Sequence, residues 1–500
     1  MHFLLSKRHK RPHLLSLINL TSWLCFCIGE PLLKIMETTM PSTDNLLYGL
    51  NDKPPIGPTL LAALQHVLAS FVGIITPTLI IGGVLGLGNE IPYLISMALL
   101  VSGVGTFIQA KTFGPVGSGL VSLQGTSFAF LSSILAAGFI AKGKGGGPEE
   151  ILSLIFGVCF LGAFIEIFLS RFLHKLTFFI NPLVTGIVIT TIGFNLIKVG
   201  MTDLAGGFKA PDFGSLANLG LGLSVLVLIV VLNQFKNIYL RSGAIFFGLM
   251  AGFIAAIFMG KVDYSGLASV SIFTLPVPFK YGMSFDLAAF IPVALIYLIT
   301  AIESAGDLTA TSMVSKEPIT GPVYTKRIKN GVLGDGVNSL IAAVMNTFPN
   351  TTFSQNNGVI QLTGMASRYV ALWTAGMLII LGLFPVIGAL FQQLPKPVLG
   401  GATLVMFGTV AAAGIRILAS LELDRRTMLI MAVSFGLGLG VAMVPDALKE
   451  MPKLVQNVFG SAITTCGLSA IILNLCLPSL SDTTISNINT DENKDVNKAA

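Results

Sequence analysis

Charged side chains are scarce in this chain of 500 residues, of which only 11% are Asp, Glu, Lys or Arg. Soluble domains carry about 25% of these residues, so a soluble globular protein is excluded. The net charge of +6 comes from basic residues in short connections between apolar runs, where they orient a membrane protein. Nucleic acid is therefore not an expected partner, whereas a lipid bilayer is.

Cysteine and histidine are also rare, with five residues of each type. The cysteines show neither the spacing of a metal site nor that of a disulfide framework. The histidines show no His–Glu–His spacing, and no nucleophile is paired with a base as hydrolytic chemistry requires. We therefore expect no metal, no cofactor and no catalytic residues, and we disfavour an enzyme embedded in the membrane.

Apolar residues are abundant, at 53% of the chain, and they recur in runs near 20 residues long. Each run is long enough to cross a hydrocarbon core of roughly 30 Å. The runs do not alternate as barrel strands do, so an all-α polytopic membrane protein is expected. The fourteen predicted segments are 58–80, 91–109, 117–141, 149–171, 178–198, 215–235, 240–260, 284–312, 326–346, 349–363, 369–391, 396–416, 428–445 and 460–478.

Two of these segments, the third and the tenth, are poor helices. The third begins with the stretch Gly117–Gly125, and the tenth contains Pro349–Gly358. Both stretches are rich in Gly, Ser, Thr and Asn, which weaken helices. We predict that both segments are broken.

A weak internal symmetry links the two halves of the chain. The fifth segment begins Asn181-Pro-Leu-Val-Thr-Gly186, and the twelfth begins Lys396-Pro-Val-Leu-Gly-Gly401. The two broken segments are also seven positions apart, and because seven is odd, such a repeat must be inverted in the membrane. Interrupted segments at corresponding positions of two halves are the best sequence indication of a transporter's binding site.

The two ends of the chain do not follow this pattern. Basic residues precede an apolar run from Leu14 to Gly29, as in a signal peptide, but no small-residue cleavage site is obvious. We favour a start of synthesis downstream, at Met36 or Met40. Residues 481–500 are polar and lack aromatic side chains, so a disordered tail is expected there.

Ionisable side chains within the predicted segments need an explanation, because each costs at least ~2.5–3.5 kcal/mol to insert. Four stand out: His66, Glu303, Asp307 and Asp335. Glu166 also lies in an apolar run, but it is about one turn from Arg171 near the end of its segment. We interpret Glu166 as a charge at the membrane interface.

Glu303 and Asp307 are four residues apart and share one helix face. Both are hard to keep ionised together in a low-dielectric site, which suits a group that binds and releases protons. His66 is interpreted first as a structural hydrogen-bonding residue, which could also orient a carboxylate of the eighth segment. Asp335 is flanked by two glycines that permit close helix approach, and both a structural and a proton-linked role stay open for it.

The two predicted breaks also carry side chains that suit a planar polar ligand. Gln355–Gly358 supplies amides, which offer both donors and acceptors, beside a backbone that leaves the helix. Such an arrangement fits the edge of a purine. Phe128 and Phe130 follow the other break and could stack on a flat ring, although packing in the core is the commoner role of a phenylalanine.

Four motifs in this order resemble those of the nucleobase–ascorbate transporter family, also called the xanthine/uracil permease family. Gln355–Gly364 resembles the family signature, in which Asn356, Gly358 and Thr363 match the required residues. Gln65-His66 resembles the first-segment motif. Glu303–Thr311 resembles the eighth-segment motif, and Gly334–Ser339 resembles the ninth. The resemblance covers the chain from about residue 54 to residue 478.

The resemblance implies a fold of two inverted seven-segment repeats, with a short strand in each of the broken segments 3 and 10. It implies a core domain of segments one to four and eight to eleven, and a gate domain of the others. The corresponding ranges are 1–50 for an uncertain extension, 51–171 and 281–392 for the core, 172–280 and 393–480 for the gate, and 481–500 for the tail. It also implies a homodimer in the bacterial inner membrane.

By motif position, the resemblance implies that Glu303 and Gln355 hydrogen-bond a base and that Phe128 lies against its ring. It implies supporting or proton-linked roles for the other polar residues of the motifs: Asn356, Asp307, Asp335 and His66. Gln355 is similar to the residue of xanthine and uric acid carriers. Ser127 stands where many of them have Asn, which leaves strict selectivity for xanthine open.

We therefore expect a secondary active transporter that takes up xanthine, uric acid or both by proton symport. A carrier of uracil or of a broader range of nucleobases is an alternative within the family. An anion transporter of the sulfate or bicarbonate type, which shares the architecture, is a second alternative. It is disfavoured because carboxylates, and no Lys or Arg, lie in the middle of the segments.

Overall fold

The fold is known from a computed structural model, which describes residues 46–172, 182–207, 210–262, 270–353 and 356–477. The predicted tail at 481–500 and residues 1–45 of the predicted extension lie outside the described residues. Residues from Tyr48 onward form one compact unit. Tyr48 pairs with Met365, and the Leu50 carbonyl accepts a hydrogen bond from the Arg368 backbone, so residues 48–50 belong to this unit.

The described residues form seventeen α-helices and two short strands. In chain order they are α1 (Ile56–Leu85), α2 (Ile91–Lys111), β1 (Gln124–Thr126), α3 (Leu131–Gly143), α4 (Pro148–Phe172), α5 (Pro182–Leu204), α6 (Leu216–Gln234), α7 (Ile238–Ser242), α8 (Ala244–Phe258), α9 (Leu287–Val314), α10 (Gly321–Val344), β2 (Asn350–Thr352), α11 (Asn356–Thr363), α12 (Arg368–Gly382), α13 (Pro385–Gln392), α14 (Lys396–Ala419), α15 (Arg425–Met443), α16 (Lys453–Phe459) and α17 (Ala462–Cys476).

All fourteen predicted segments are present. Among the described residues, eight helices are long and apolar enough to span a membrane: α1, α2, α4, α5, α6, α9, α14 and α15. The eleventh segment consists of α12 and α13, which are bent by 76° where Pro385 begins the second helix. The remaining segments are shorter, broken or more polar: β1 with α3, α7 with α8, α10, β2 with α11, and α17.

Glycine allows the paired helices to approach closely. A Cβ on Gly193 of α5 would lie 2.4 Å from the Ala411 nitrogen of α14, and one on Gly414 would lie 2.4 Å from the Thr190 nitrogen. These helices are the fifth and twelfth segments, which the internal symmetry relates. Backbone contact through small residues is how membrane helices associate without a hydrophobic driving force.

Candidate functional site

The two predicted breaks meet each other in the fold. β1 and β2 pair antiparallel, with Gln124 opposite Thr352, Gly125 opposite Thr351, and Thr126 opposite Asn350. All six residues are buried. Irregular backbone at membrane depth is tolerated only where its polar groups are satisfied inside the protein, which this pairing achieves. Segments 3 and 10 are thus broken as predicted, each containing a strand followed by a short helix.

Gly125 is needed at the centre of this pairing. A Cβ on Gly125 would lie 2.3 Å from Cζ of Phe353, which follows β2 directly. The Phe353 ring is buried, and its backbone nitrogen donates to the Leu123 carbonyl at 2.8 Å. The Phe353 ring therefore packs directly on Gly125. Any residue larger than glycine at position 125 would displace the ring.

Asp335, on α10, is fully buried beside the strands. Its Oδ1 accepts a hydrogen bond of 2.5 Å from Nε2 of Gln109, on α2. The Thr352 hydroxyl donates to Oδ2 at 3.0 Å. The glycines on either side allow this contact, because a Cβ on Gly334 would lie 2.8 Å from the Gln109 amide nitrogen. The prediction of close helix approach around Asp335 is thereby confirmed.

Further amides extend this network. Gln124 donates from Nε2 to the Thr352 hydroxyl at 3.0 Å, and its Oε1 accepts from Asn338 at 3.2 Å. Sequence reasoning missed Gln109, Gln124 and Asn338. A usable signal existed for Gln124, because it is an amide inside the stretch predicted to break, and for Asn338, which lies inside the quoted ninth-segment motif.

His66, on α1, is fully buried and contacts the tenth segment. The Asn356 amide nitrogen lies 3.1 Å from His66 Nδ1 and donates to the His66 carbonyl at 3.2 Å. Donation to Nδ1 places the ring proton on Nε2, which has no hydrogen-bond partner among the described residues. The hydrogen bonds of His66 thus run to an amide at the start of α11 rather than to a carboxylate of the eighth segment.

Glu303 and Asp307 both lie on α9, and the residue after Glu303 connects that helix to the strands. The Ser304 hydroxyl is 3.3 Å from the Thr351 hydroxyl. Glu303 Oε2 is buried and has no hydrogen-bond partner among the described residues. Asp307 is buried as well, and its carbonyl accepts from Thr311, whose hydroxyl also lies 2.9 Å from Asn357 Oδ1 on α11.

The two aromatic candidates have different surroundings. The Phe130 ring is buried against Tyr297, with centroids 4.5 Å apart, and therefore packs in the core. Phe128 is half-buried and meets Phe407 of α14 edge-on, with centroids 5.3 Å apart. Phe128 thus lies where the third segment faces the twelfth. Phe407 was not singled out from the sequence.

Three signature residues complete the predicted set. Gln355 lies outside the described residues. Gly358 is exposed on α11. The Thr363 hydroxyl accepts a hydrogen bond of 3.2 Å from the Met365 nitrogen, so it stabilises the turn that ends α11.

The interpretation of Glu166 as an interfacial charge is wrong. Its side chain is only 1% exposed, and its Oε1 has no hydrogen-bond partner among the described residues. Proximity to Arg171 in the sequence suggested a position near the helix end. The packing of α4 against α10 instead buries Glu166, since a Cβ on the facing Gly336 would lie 2.9 Å from the backbone nitrogen of Ile167.

Comparisons with known proteins agree with one another. A family model named Xan_ur_permease and described as "Permease family" matches residues 57–447. The chain is 46% identical to xanthine permease XanP of Escherichia coli K12 over 87% of this chain and 95% of XanP. It is 46% identical to xanthine permease XanQ of the same strain, over 87% of this chain and 94% of XanQ.

A solved structure shares the fold at low sequence identity. The transmembrane domain of the bicarbonate transporter BicA from a cyanobacterium aligns with a TM-score of 0.53 and 14% identity, covering 82% of this chain and 99% of that domain. At this identity the likeness shows the fold alone. The fold of fourteen segments in two inverted repeats, predicted from the sequence, is confirmed.

Proposed function

Because the chain belongs to the xanthine/uracil permease family, also called the nucleobase–ascorbate transporter family, we propose that it takes up xanthine and uric acid by proton symport. The protein is an integral, multi-pass inner-membrane transporter and not an enzyme. The observation that carries the proposal is the buried polar site where β1 and β2 bring the two broken segments together, beside Glu303 and Asp335.

A purine base fits the chemistry of this site. The edge of xanthine or uric acid alternates N–H donors and carbonyl acceptors. The Glu303 carboxylate, which has an unpartnered oxygen among the described residues, would accept from a ring N–H. Gln355, next to the first residue of α11, would pair with the base through both its donor and its acceptor. Phe128 would lie against the flat ring.

Selectivity between the two purines is assigned to Ser127. Its side chain is buried next to Phe128, at the end of β1, and its hydroxyl has no hydrogen-bond partner among the described residues. A serine leaves more room there than the asparagine of many xanthine carriers in the family. The extra oxygen of uric acid would occupy that room.

Protons are the coupling ion in this proposal. Xanthine is largely neutral near pH 7, so the membrane potential alone cannot concentrate it. Buried carboxylates on α9 and α10 would hold like charges in a medium of low dielectric constant, which is costly unless a proton is bound.

The transport movement would displace the core domain against the gate domain. Contacts across that boundary include Phe128 with Phe407, and Gly306 with Thr185, where a Cβ on the glycine would lie 2.5 Å from the threonine methyl.

A homodimer is also proposed, because the gate helices α6 and α15 are the least buried of the eight long helices. Only 28% and 22%, respectively, of the most apolar stretch of each helix is buried. Cross-linking in the native membrane would test it.

The experiment that tests the function is uptake of labelled xanthine in cells that lack their own carriers. Unlabelled uric acid and xanthine should both compete, and uracil should not. Accumulation should collapse when a protonophore is added. Persistence of accumulation with the protonophore present, combined with dependence on a sodium gradient, would refute proton symport.

The role of Ser127 is tested by Ser127→Asn. This variant should retain xanthine uptake, and uric acid should compete less well for it than for the wild-type protein. If uric acid competes equally well in both proteins, Ser127 does not determine selectivity.

An anion transporter is not favoured, although BicA shares the fold. The described polar site is lined by carboxylates, amides and hydroxyls, and Asp335 accepts hydrogen bonds there from residues such as Gln109 and Thr352, which carry no charge. A sulfate or bicarbonate ion would therefore find no positive charge among these residues. Stabilisation of the purified protein by sulfate but not by xanthine would favour the anion function instead.

A further inference from the structure

Glu166 is a buried carboxylate to which the proposed function gives no role. It lies on α4, where that helix is in direct backbone contact with α10 at Gly336, the residue after Asp335. Asp335 accepts hydrogen bonds from Gln109 and Thr352, which lower the cost of its negative charge. Glu166 Oε1 has none among the described residues. A buried carboxylate oxygen without a donor makes the anion costly, so a bound proton is favoured there.

The groups that act on Glu166 are themselves mostly acids. Asp335 precedes Gly336 on α10, where a Cβ would lie 3.4 Å from the Glu166 carbonyl carbon, and Glu303 lies on α9, which also packs on α4. The Tyr297 hydroxyl on α9 donates to the Cys159 carbonyl on α4 at 3.0 Å.

Helix α3 also packs on α4, after α9 and α10. Its lysine is bound elsewhere. Lys142 lies at the C-terminal end of α3, where it donates to the Leu85 carbonyl at the end of α1. Within the described ranges, no Lys or Arg forms an ion pair with Glu166. Its neighbours therefore offer no counter-ion, only carboxylates with which a proton can be shared.

We propose that Glu166 is a third proton-binding carboxylate of the transport site, coupled to Glu303 and Asp335. This inference rests on the proposed proton symport. A proton that leaves the Glu166 carboxyl is accepted by another carboxylate of the cluster, so one O–H bond breaks as another forms and the total charge of the three residues stays constant. Substrate bound beside Glu303 changes the proton affinity of the cluster, and by linkage the bound proton changes the affinity for substrate by the same factor.

Proteoliposomes with an imposed pH gradient provide the test. The wild-type protein is compared with Glu166→Gln and with Glu149→Gln, which changes an exposed glutamate in the first turn of the same helix. Three quantities are measured: the accumulation ratio of labelled xanthine, xanthine exchange without a gradient, and the pH profile of initial uptake. A merely structural residue would change the amount of active protein but not its pH profile.

Glu166→Gln should lower the accumulation ratio about tenfold or more, which is the size of a typical coupling between two sites. Its exchange should stay within about threefold of wild type, because the substrate contacts are intact. The pH profile of uptake should flatten, and Glu149→Gln should match wild type in all three measurements. Unchanged accumulation and an unchanged pH profile in Glu166→Gln would overturn the inference while leaving proton symport in place.

Two outcomes complete the design. If wild-type accumulation ignores the pH gradient, proton symport and this inference fall together. If Glu166→Gln does not fold, Glu166→Asp is used instead. This variant keeps the carboxyl group on a side chain that is one methylene shorter. Infrared difference spectra on xanthine addition should then show a protonated-carboxyl band that moves between wild type and Glu166→Asp, and an identical band in both would overturn the inference.

Discussion

Gln109 and Asp335, which are 226 residues apart in the sequence, are joined by a hydrogen bond of 2.5 Å from Nε2 to Oδ1. The same amide nitrogen donates to the Gly331 carbonyl at 2.8 Å, and Gln109 Oε1 accepts from the Ser118 nitrogen at 2.8 Å. One side chain on α2 thus connects α10 to the chain that leads into β1. The geometry of the broken segments depends on it.

Gln109→Ala should therefore destabilise the protein. It removes the Gln109 donor from the Asp335 carboxylate, which keeps only hydroxyl donors such as Thr352, and it removes the acceptor of the Ser118 nitrogen. Each lost hydrogen bond of a buried group costs about 1–3 kcal/mol. Thermal unfolding of the purified protein should begin at a lower temperature, and xanthine should restore part of the loss. Gln361→Ala, at an exposed position on α11, is the control and should unfold as wild type does. Equal stability of the two variants would contradict the assigned role of Gln109.

Gly125→Ala should abolish uptake. The added methyl group would lie 2.3 Å from Phe353 Cζ, so either the ring must leave its buried position or the pairing with Thr351 must open. Overpacking of this kind costs about 1–3 kcal/mol. Gly376→Ala is the matched control, because nothing lies within 4 Å of a Cβ there. Uptake by Gly125→Ala at the wild-type rate, with equal amounts of protein in the membrane, would show that the strands need no glycine.

Glu303→Gln should abolish accumulation of xanthine against its gradient while leaving some exchange of xanthine across the membrane. The amide keeps the size of the side chain but cannot take up a proton, so xanthine should no longer concentrate against its gradient. Exchange of internal for external xanthine should survive to the extent that the amide still holds the base. Uptake and counterflow in vesicles measure the two properties separately, with Glu149→Gln as the control. Full accumulation by Glu303→Gln would remove this residue from proton coupling.

Gln355→Glu should change which purines bind. The substitution keeps the size of the side chain, removes its N–H donors and adds a negative charge. We expect the affinity for xanthine to fall by a factor of about ten or more, since losing a hydrogen bond to a buried polar group costs about 1–3 kcal/mol. A competition panel of purine analogues measures the shift. An unchanged panel, with normal amounts of protein in the membrane, would place Gln355 outside the binding site.

The sequence alone determined the number of segments and the positions of the breaks. Apolar runs of membrane-spanning length are a local property of the chain, and so is the helix-weakening composition of Gly117–Gly125 and Pro349–Gly358. The cost of burying an ionisable residue is also local, and it identified His66, Glu303, Asp307 and Asp335 as residues that need an explanation.

Only the tertiary structure decided which of these residues meet. The pairing of Gly125 with Thr351 and the bond from Gln109 to Asp335 join distant parts of the chain, and no local pattern specifies a partner. The contact of His66 with Asn356 arose in the same way. Glu166 shows the limit most clearly: its neighbours in sequence suggested an interface, but burial is set by the helix that packs against it. The side chain of Glu166 is 1% exposed because glycine at position 336 lets α10 come close enough to cover it.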